Sequence, residues 1–353
     1  MPVSIIVGGQ YGSEGKGKVA YQWAKTKRAS VAVKVGGTNS GHTIYHNGEK
    51  HVFRVLPAAC VLKDVTCVLP AGSYIDLTLL SQEMEEAHIT KDRVKIDPNA
   101  VILTNAETYH ERLAGIGKAI GSTESGTGAG VMKRIERSLK MYPVFAHEVD
   151  LPGILTNTKK FLRDRLSNNE EVVIEGTQGY GLSVLHSKTY PFVTARDTTA
   201  AGFLSETGLS PFDVRNIVMV VRTYPIRVAG NSGPLKNEID WETVTKESGS
   251  KEPIMEKTSV THNVRRVARF DPDLVKDAII ANNPNVLVLN HVDYFDKTFE
   301  TYKSGDERYM FSRSQVNKIF RLETQIGRSF DFFGVGPEEE LIPRNSVYDR
   351  ERI

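Results

Sequence analysis

The feature that most constrains the fold is one continuous stretch near the start of the chain. An apolar run, Val3–Val7, leads into Gly8-Gly9-Gln10-Tyr11-Gly12-Ser13-Glu14-Gly15-Lys16-Gly17-Lys18 and then into a helix-period segment, Val19–Lys27. A strand that turns through glycines into a helix is the opening unit of a parallel-sheet protein. The pattern repeats along the chain. Ser30–Val35, Ala100–Leu103, Glu171–Ile174, Asn216–Val221 and Asn285–Leu289 also read as strands buried on both faces. Leu77–Ala87, Met132–Lys140, Leu155–Arg165 and Arg313–Glu323 read as helices between them. The expected class is α/β, with a largely parallel central sheet, helices on both sides and long Gly-rich loops at one edge. Asn47-Gly48, between Thr43–Tyr45 and His51–Arg54, predicts a hairpin. No repeat, linker or low-complexity tract divides the 353 residues, so one domain over 1–353 is expected.

Composition narrows the function classes. Lys plus Arg is 45 against 43 for Asp plus Glu, a net charge of +2 that argues against a nucleic-acid partner. The two cysteines, Cys60 and Cys67, make neither a disulfide framework nor a zinc spacing and read as buried core thiols. The N-terminus lacks a charged signal region, and no apolar segment approaches bilayer length. A cytoplasmic protein with no membrane partner is expected.

The first loop has the chemistry of a phosphate cradle. Glycines let backbone N–H groups approach an anion, the helix N-terminus adds a favourable dipole, and Lys16 and Lys18 add charge. Its spacing is not that of a P-loop, because Gly9 to Gly15 encloses one residue too many and Gly17 stands where a hydroxyl would ligate Mg²⁺. It also lacks the dinucleotide fingerprint. A second Gly-rich loop, Gly36-Gly37-Thr38-Asn39-Ser40-Gly41-His42-Thr43, follows the next strand. There His42 is a candidate proton donor to a phosphate or a leaving oxygen. Asn290-His291-Val292-Asp293 resembles the Asn/Thr-Lys-x-Asp element that reads guanine in many GTP-using proteins, with His291 in place of the lysine. The cluster Thr258–Arg266 mixes hydroxyls with paired arginines. Alone it reads as a solvated basic face, although arginine forks also suit carboxylates.

Taken together, these loops resemble the adenylosuccinate synthetase family. The resemblance is carried by Gly9–Lys18, Asn39–Thr43, Gly121-Ser122-Thr123, Glu175-Gly176-Thr177-Gln178-Gly179, Thr189–Thr194 and Gly336-Pro337, in the family's order and nearly end to end. The length is similar to that of the compact archaeal and phage members. The resemblance implies a P-loop-related α/β fold and a carbon–nitrogen ligase. In that reaction a nucleoside triphosphate phosphorylates the 6-oxo group of a purine nucleotide, and the amine of L-aspartate then displaces the phosphate. Such chemistry needs Mg²⁺ and lysine to neutralise the transferring phosphoryl, and groups that move protons at the ring.

Departures from the family pattern point to a substrate. The family has Asp, both ring base and Mg²⁺ ligand, where this chain has Ser13. A hydroxyl in that position resembles the phage branch, the N6-succino-2-amino-2'-deoxyadenylate synthases, which use dGMP in making 2-aminoadenine precursors. Asn263 stands in register with an arginine near the ribose, which fits a 2'-deoxy sugar. His291 and Gly334 depart from the guanine-reading pattern and suggest ATP as energy donor.

The resemblance therefore implies the following roles. Ser13, Lys16 and His42 are catalytic. Gly12, Ser13, Gly15, Lys16, Gly17, Lys18, Gly41, His42, Thr43, His291, Asp293, Gly336 and Pro337 bind ATP. Ser13, Asn39, Ser122, Thr123, Arg137, Gln178, Thr194, Val228 and Asn263 bind dGMP, with Arg137 reaching the neighbouring subunit's site in a homodimer. Ser259, Val260, Thr261 and Arg265 clasp aspartate. Ser13 and the Gly41 carbonyl help hold Mg²⁺. The group that deprotonates the purine is left open between a relay through Ser13 and another residue. Two alternatives stand beside this reading: an ordinary synthetase acting on IMP with GTP, and a nucleotide-binding switch without catalysis. Retention of His42, Gln178, Thr194 and Arg265 weighs against the switch.

Overall fold

The computed structural model describes residues 2–138, 142–258, 263–301, 311–338 and 340–347. Its centre is a nine-stranded sheet. From one edge to the other, the strands are Ile342–Pro343, Phe332–Phe333, Val286–Asn290, Val214–Arg222, Val3–Gly8, Val172–Glu175, Val31–Lys34, Thr66–Leu69 and Val94–Ile96. All neighbours run parallel except the terminal strand Ile342–Pro343. The α/β class with a large parallel sheet is therefore as the alternating apolar runs imply.

The inner strands are mainly apolar because helices cover both faces, with polar residues chiefly at their ends. Every residue of Val3–Gly8, Val31–Lys34 and Val172–Glu175 is buried. Burying one such Val or Ile side chain contributes roughly 1.5–3 kcal/mol, so these strands anchor the sheet. One face packs on the helix Lys16–Lys27 through Val19, Ala20, Trp23 and Ala24. The other packs on the helices Thr158–Ser167, Ala200–Thr207, Pro272–Asn282 and Arg313–Ile326. Cys60 and Cys67 are free thiols buried in a third cluster, where desolvation pushes the Cys67 thiol up to about 12. Among the described residues no helix is long and apolar enough to cross a membrane.

Two expectations are corrected. Ala100–Leu103 is buried, but its strand, Val101–Ile102, belongs to a small separate sheet with Tyr74–Ile75 and Val144–Phe145. The helix expected over Met132–Lys140 spans Thr127–Glu136, because Gly126 and Arg137, both left-handed, bound it. The Asn47-Gly48 hairpin is present, pairing His42–His46 with Glu49–Phe53.

Parallel strands all deliver their C-terminal ends to one edge. There the chain leaves the sheet after Gly8, Lys34, Glu175 and Asn290, which are the roots of loops singled out in the sequence, and after Arg222.

Candidate active site

The first loop is built around a buried carboxylate. Glu14 Oε1 accepts from the backbone N–H groups of Gln10 at 3.1 Å and Gly12 at 2.8 Å. Its Oε2 accepts from Lys16 Nζ at 2.6 Å, and neither side chain is more than 2 % exposed. The helix Lys16–Lys27 begins after Gly15, whose φ of 87° a residue with a Cβ rarely adopts. Lysines occupy its first turn, where the helix dipole already favours anions. A positive end with a buried lysine needs negative charge beside it, here Glu14.

The two lysines are handled differently. Lys16 stays at the loop. Lys18 Nζ donates to the carbonyls of Val335 and Gly336, each at 2.7 Å. It ties the helix to the segment that contains Gly336 and Pro337. Gly336 N in turn donates to Asp293 Oδ1 at 3.3 Å. Asn290 Nδ2 donates to the Glu14 carbonyl at 2.9 Å, so the strand end before His291 fastens the phosphate loop. His291 is left-handed, and its Nε2 lies 3.8 Å from where a Cβ on Gly15 would stand. Desolvation and the Arg222 charge push its imidazole down to about 3. Thus Gly15, Lys18, His291, Asp293, Gly336 and Pro337, candidates for one nucleotide, do converge.

His42 opens the hairpin and packs on the helix start; a Cβ on Gly17 would lie 2.6 Å from its own. Its Nδ1 is 2.5 Å from Glu175 Oε1 and 2.9 Å from Lys34 Nζ. Lys34 and Glu175 end neighbouring strands in register and pair at 2.5 Å, and Glu175 Oε2 accepts from Ala58 N at 2.7 Å. Burial and Lys34 push His42 down to about 4 against the opposing pull of Glu175. At neutral pH the imidazole is therefore uncharged. A proton on Nδ1 facing the Glu175 carboxylate leaves Nε2, 3.4 Å from Ser40 Oγ, as an acceptor. Sequence reasoning singled out His42 and missed Lys34 and Glu175 as its partners. Charged residues closing two otherwise apolar buried strands were the available signal.

A third group gathers over the first two loops. Asn39 Nδ2 donates to Thr194 Oγ1 at 3.3 Å, and Gln178 Nε2 to the Asn39 carbonyl at 3.4 Å. Gln178 is left-handed and lies against Gly12, next to Ser13, which is left-handed too. The segment bearing Ser122 and Thr123 reaches this group through Ser125, whose carbonyl accepts from Thr38 Oγ1 at 3.3 Å and whose Oγ accepts from Thr123 Oγ1 at 3.2 Å. The loop after Val228 closes on the same segment, Asn231 Nδ2 donating to the Ala119 carbonyl at 2.8 Å. Gly41 is exposed, and Thr43 is paired with Val52 in the hairpin.

Other expected residues stand apart or out of view. Arg137 is exposed at the C-terminal end of Thr127–Glu136, a ten-residue helix about 15 Å long whose other end adjoins these loops. Asn263 exchanges hydrogen bonds with Thr258. Arg265 Nε donates to the Lys257 carbonyl at 3.3 Å. Ser259, Val260 and Thr261 lie outside the described residues. Among the described residues no cluster of three or more His, Cys, Asp or Glu could hold a metal. The hydroxyl of Ser13 and the carbonyl of Gly41 are hard oxygen donors, which suits Mg²⁺, an ion commonly bound through few protein groups plus substrate phosphates.

The arrangement is thus a buried lysine on a Gly-rich loop, an oriented imidazole and a group of amides and hydroxyls at one sheet edge. The chain is similar to known proteins along nearly all of its length. The family model described as adenylosuccinate synthetase matches residues 5–151 and 139–326. The adenylosuccinate synthetase of Methanococcus aeolicus is 32% identical over 347 residues, covering 96% of this chain and 98% of its own. That of Pyrococcus horikoshii is 30% identical, covering 98% and 100%. The fully ligated Plasmodium falciparum adenylosuccinate synthetase shares the fold, with a TM-score of 0.85 at 19% identity over 98% of this chain and 100% of that one. The succinoaminodeoxyadenylate synthetase of cyanophage S-2L, solved with dGMP and with dATP as energy donor, superposes with a TM-score of 0.79 at 27% identity, covering 97% and 95%. The chain belongs to the adenylosuccinate synthetase family and is a carbon–nitrogen ligase of purine nucleotide biosynthesis.

Proposed function

We propose that this protein joins L-aspartate to dGMP at the expense of ATP, releasing ADP and phosphate and forming 2-amino-2'-deoxyadenylosuccinate. The observation that carries this reading is the residue at position 13. In the turn where the family carries a carboxylate, this chain presents the hydroxyl of Ser13. A carboxylate beside the 2-amino group of guanine would be crowded, whereas a hydroxyl can hydrogen-bond to it. The likeness to the S-2L enzyme, with its dGMP, supports the same substrate. Asn263 at the expected arginine position supports a 2'-deoxy sugar, and His291 with Gly334 supports an adenine donor, ATP.

In this reading Gly12, Gly15, Lys16 and Gly17 hold the ATP phosphates, while Lys18 serves the donor side by fastening the Val335–Gly336 carbonyls. Asn39, Ser122, Thr123, Gln178, Thr194 and Val228 bound the purine nucleotide. Ser259, Val260, Thr261 and Arg265 take the aspartate carboxylates. The ring N1 proton leaves, by a relay through the Ser13 hydroxyl to solvent or to another residue, and the guanine O6 bonds to the γ-phosphorus as the bridge to ADP breaks. The aspartate amine then bonds to C6 as phosphate leaves. Lys16 lies in the loop that must neutralise the transferring charge, and Mg²⁺, taken with the phosphates by Ser13 and the Gly41 carbonyl, would neutralise the rest. His42, oriented by Glu175, serves the oxygen that is phosphorylated: Nε2 becomes a donor once the phosphoryl charge raises its affinity for a proton. Glu14 is engaged by two N–H groups and Lys16, so it is not free to take the ring proton.

Turnover measured on dGMP and IMP, each with ATP and GTP, tests the reading. Preference for dGMP with ATP is expected; preference for IMP overturns it. The second reading, an ordinary synthetase acting on IMP with GTP, draws on the archaeal relatives, all described as adenylosuccinate synthetases. Ser13→Ala should lower turnover on dGMP, and full activity in that variant would remove the hydroxyl from the mechanism.

A further inference from the structure

Arg222, at the C-terminal end of Val214–Arg222, is the largest fully buried side chain among the described residues. Burying a guanidinium is costly, and an apolar side chain of similar volume would commonly be as stable there or more so. Its contacts are divided between two segments far apart in sequence. Nη1 donates to the carbonyl of Ser13 at 2.8 Å. Both terminal nitrogens also fork onto the carboxylate of Glu256. Gln10 grips the backbone of the same residue from both sides, accepting from Arg222 N at 2.9 Å and donating to its carbonyl at 3.1 Å. The phosphate loop is therefore fastened to Arg222 at Gln10 and at Ser13.

Glu256 is equally well fastened on its other side. Its carbonyl accepts from Arg265 N at 2.9 Å, and the next carbonyl, Lys257, accepts from Arg265 Nε at 3.3 Å. Lys257 bridges Val264 in antiparallel fashion, and Thr258 N donates to the Asn263 carbonyl at 2.9 Å. Residues 256–258 and 263–265 are thus two braced arms, and the only carboxylate at their root is held by Arg222. The rings of Tyr294 and His291 meet at a tilt of 52° beside this root, the Tyr294 ring centre lying 5.8 Å from the guanidinium carbon. A continuous path runs from Arg265 through Glu256 and Arg222 to the Ser13 carbonyl.

We propose that the Arg222–Glu256 ion pair is a positioning element that couples the aspartate-binding arms to the phosphate loop at Ser13. The proposal rests on the reading above that Arg265 takes aspartate and Ser13 faces the purine. Seating of aspartate draws on the arms, and the fork transmits the shift to the one loop residue on which the substrate depends.

The test replaces the pair by apolar side chains, Arg222→Met with Glu256→Leu, which removes the fork without stranding a buried charge. Melting temperature, kcat and the KM for each substrate are compared with wild type. We expect melting at or above wild type, kcat lower and aspartate KM higher by about tenfold each, and dGMP KM within about twofold, because misalignment at one joint acts on the step that joins the substrates. Adding Ser13→Ala to this variant should cost less than Ser13→Ala costs alone, the mark of shared coupling. The proposal is overturned if aspartate KM and kcat stay within about twofold, if all KM values rise together, or if the Ser13→Ala effect is fully multiplicative. Should the double variant not fold, Arg222→Lys, which keeps the charge and loses the fork, is judged by the same criteria. Wild-type turnover separately reports which nucleotide is used. If that is IMP, the substrate reading falls and the same comparison is made on IMP.

Discussion

Glu14 and Glu175 are both buried at the same sheet edge, and their partners give them different work. Glu14 closes a loop through N–H groups and Lys16. Glu175 orients an imidazole and is itself neutralised by Lys34. Glu175→Gln keeps the shape and loses the charge that holds His42. Turnover should fall on the order of a hundredfold with ATP affinity little changed; single-turnover kinetics beside an ATP titration check this, and unchanged turnover would free His42 from Glu175. The same carboxylates govern acid stability. Burial raises Glu175, but Lys34 and His42 more than offset it and hold the group at about 2. Burial likewise raises Glu256, and Arg222 with His291 brings it to about 2. A carboxylate held below its ordinary value of 4.5 adds stability that is complete above that value and is lost as pH falls toward 2. Denaturant melts from about pH 5 to about pH 2.5 should therefore show a continuous loss, steepest in the lower half. A flat profile would contradict the pairing.

At the scale of elements, three strand ends hold the helix Lys16–Lys27 in place. Asn290 holds the carbonyl of Glu14, Lys18 holds the carbonyls that follow Gly334, and His42 lies on Gly17. Space is exhausted at the two glycines of this joint. A Cβ on Gly334 would stand 1.6 Å from Asn290 Oδ1, and one on Gly17 would stand 2.6 Å from the His42 Cβ. Gly334→Ala should push Asn290 off the loop, lower stability by about 1–3 kcal/mol and weaken ATP more than dGMP. Calorimetric titration with each nucleotide, beside a thermal melt, reads this. Equal weakening of both nucleotides would show that the joint is not specific to the donor. The small residue at 334 thus also makes room for the Asn290 amide against the phosphate loop.

For the whole molecule, the exposed apolar residues have a pattern. Tyr109 and Leu113 lie one helical turn apart on Asn105–Leu113. Met132 and Ile135 lie on the neighbouring helix Thr127–Glu136, and Tyr142 follows. All are more than half exposed. Arg137 adjoins this face. Exposed apolar side chains grouped in this way suit an interaction surface, and the arginine beside them makes a second copy of the chain the expected occupant. Ile135→Asp should shift the protein to monomer in sedimentation velocity and reduce turnover with it. Mixing Arg137→Ala with Ser13→Ala should restore activity that neither has alone, because a mixed dimer contains one intact site. Monomer at all concentrations in the wild type would rule this out.

The sequence by itself determined the class of the fold and the identity of the loops. Strands covered on both faces must be continuously apolar, so Val3–Gly8, Val31–Lys34, Val172–Glu175, Val214–Arg222 and Val286–Asn290 were legible, and parallel order then sends Gly12, Asn39, Gln178 and Asn290 to one edge. Short outer strands such as Val94–Ile96 and Phe332–Phe333 carry too few residues to show a period, and Ala100–Leu103 looked like a central strand because a small buried sheet leaves the same apolar signature. Only the tertiary structure decided the partners. The pairs Lys34 with Glu175, Lys18 with Val335 and Gly336, and Arg222 with Glu256 join residues from 34 to 318 positions apart. Whether a buried charge binds substrate, orients a neighbour or braces a loop depends on which oxygen or nitrogen meets it, and that is a property of the packed sheet edge rather than of any local spacing. Position 13 shows the division. The serine is written in the sequence, whereas the guanidinium that holds its carbonyl comes from a strand 209 residues away.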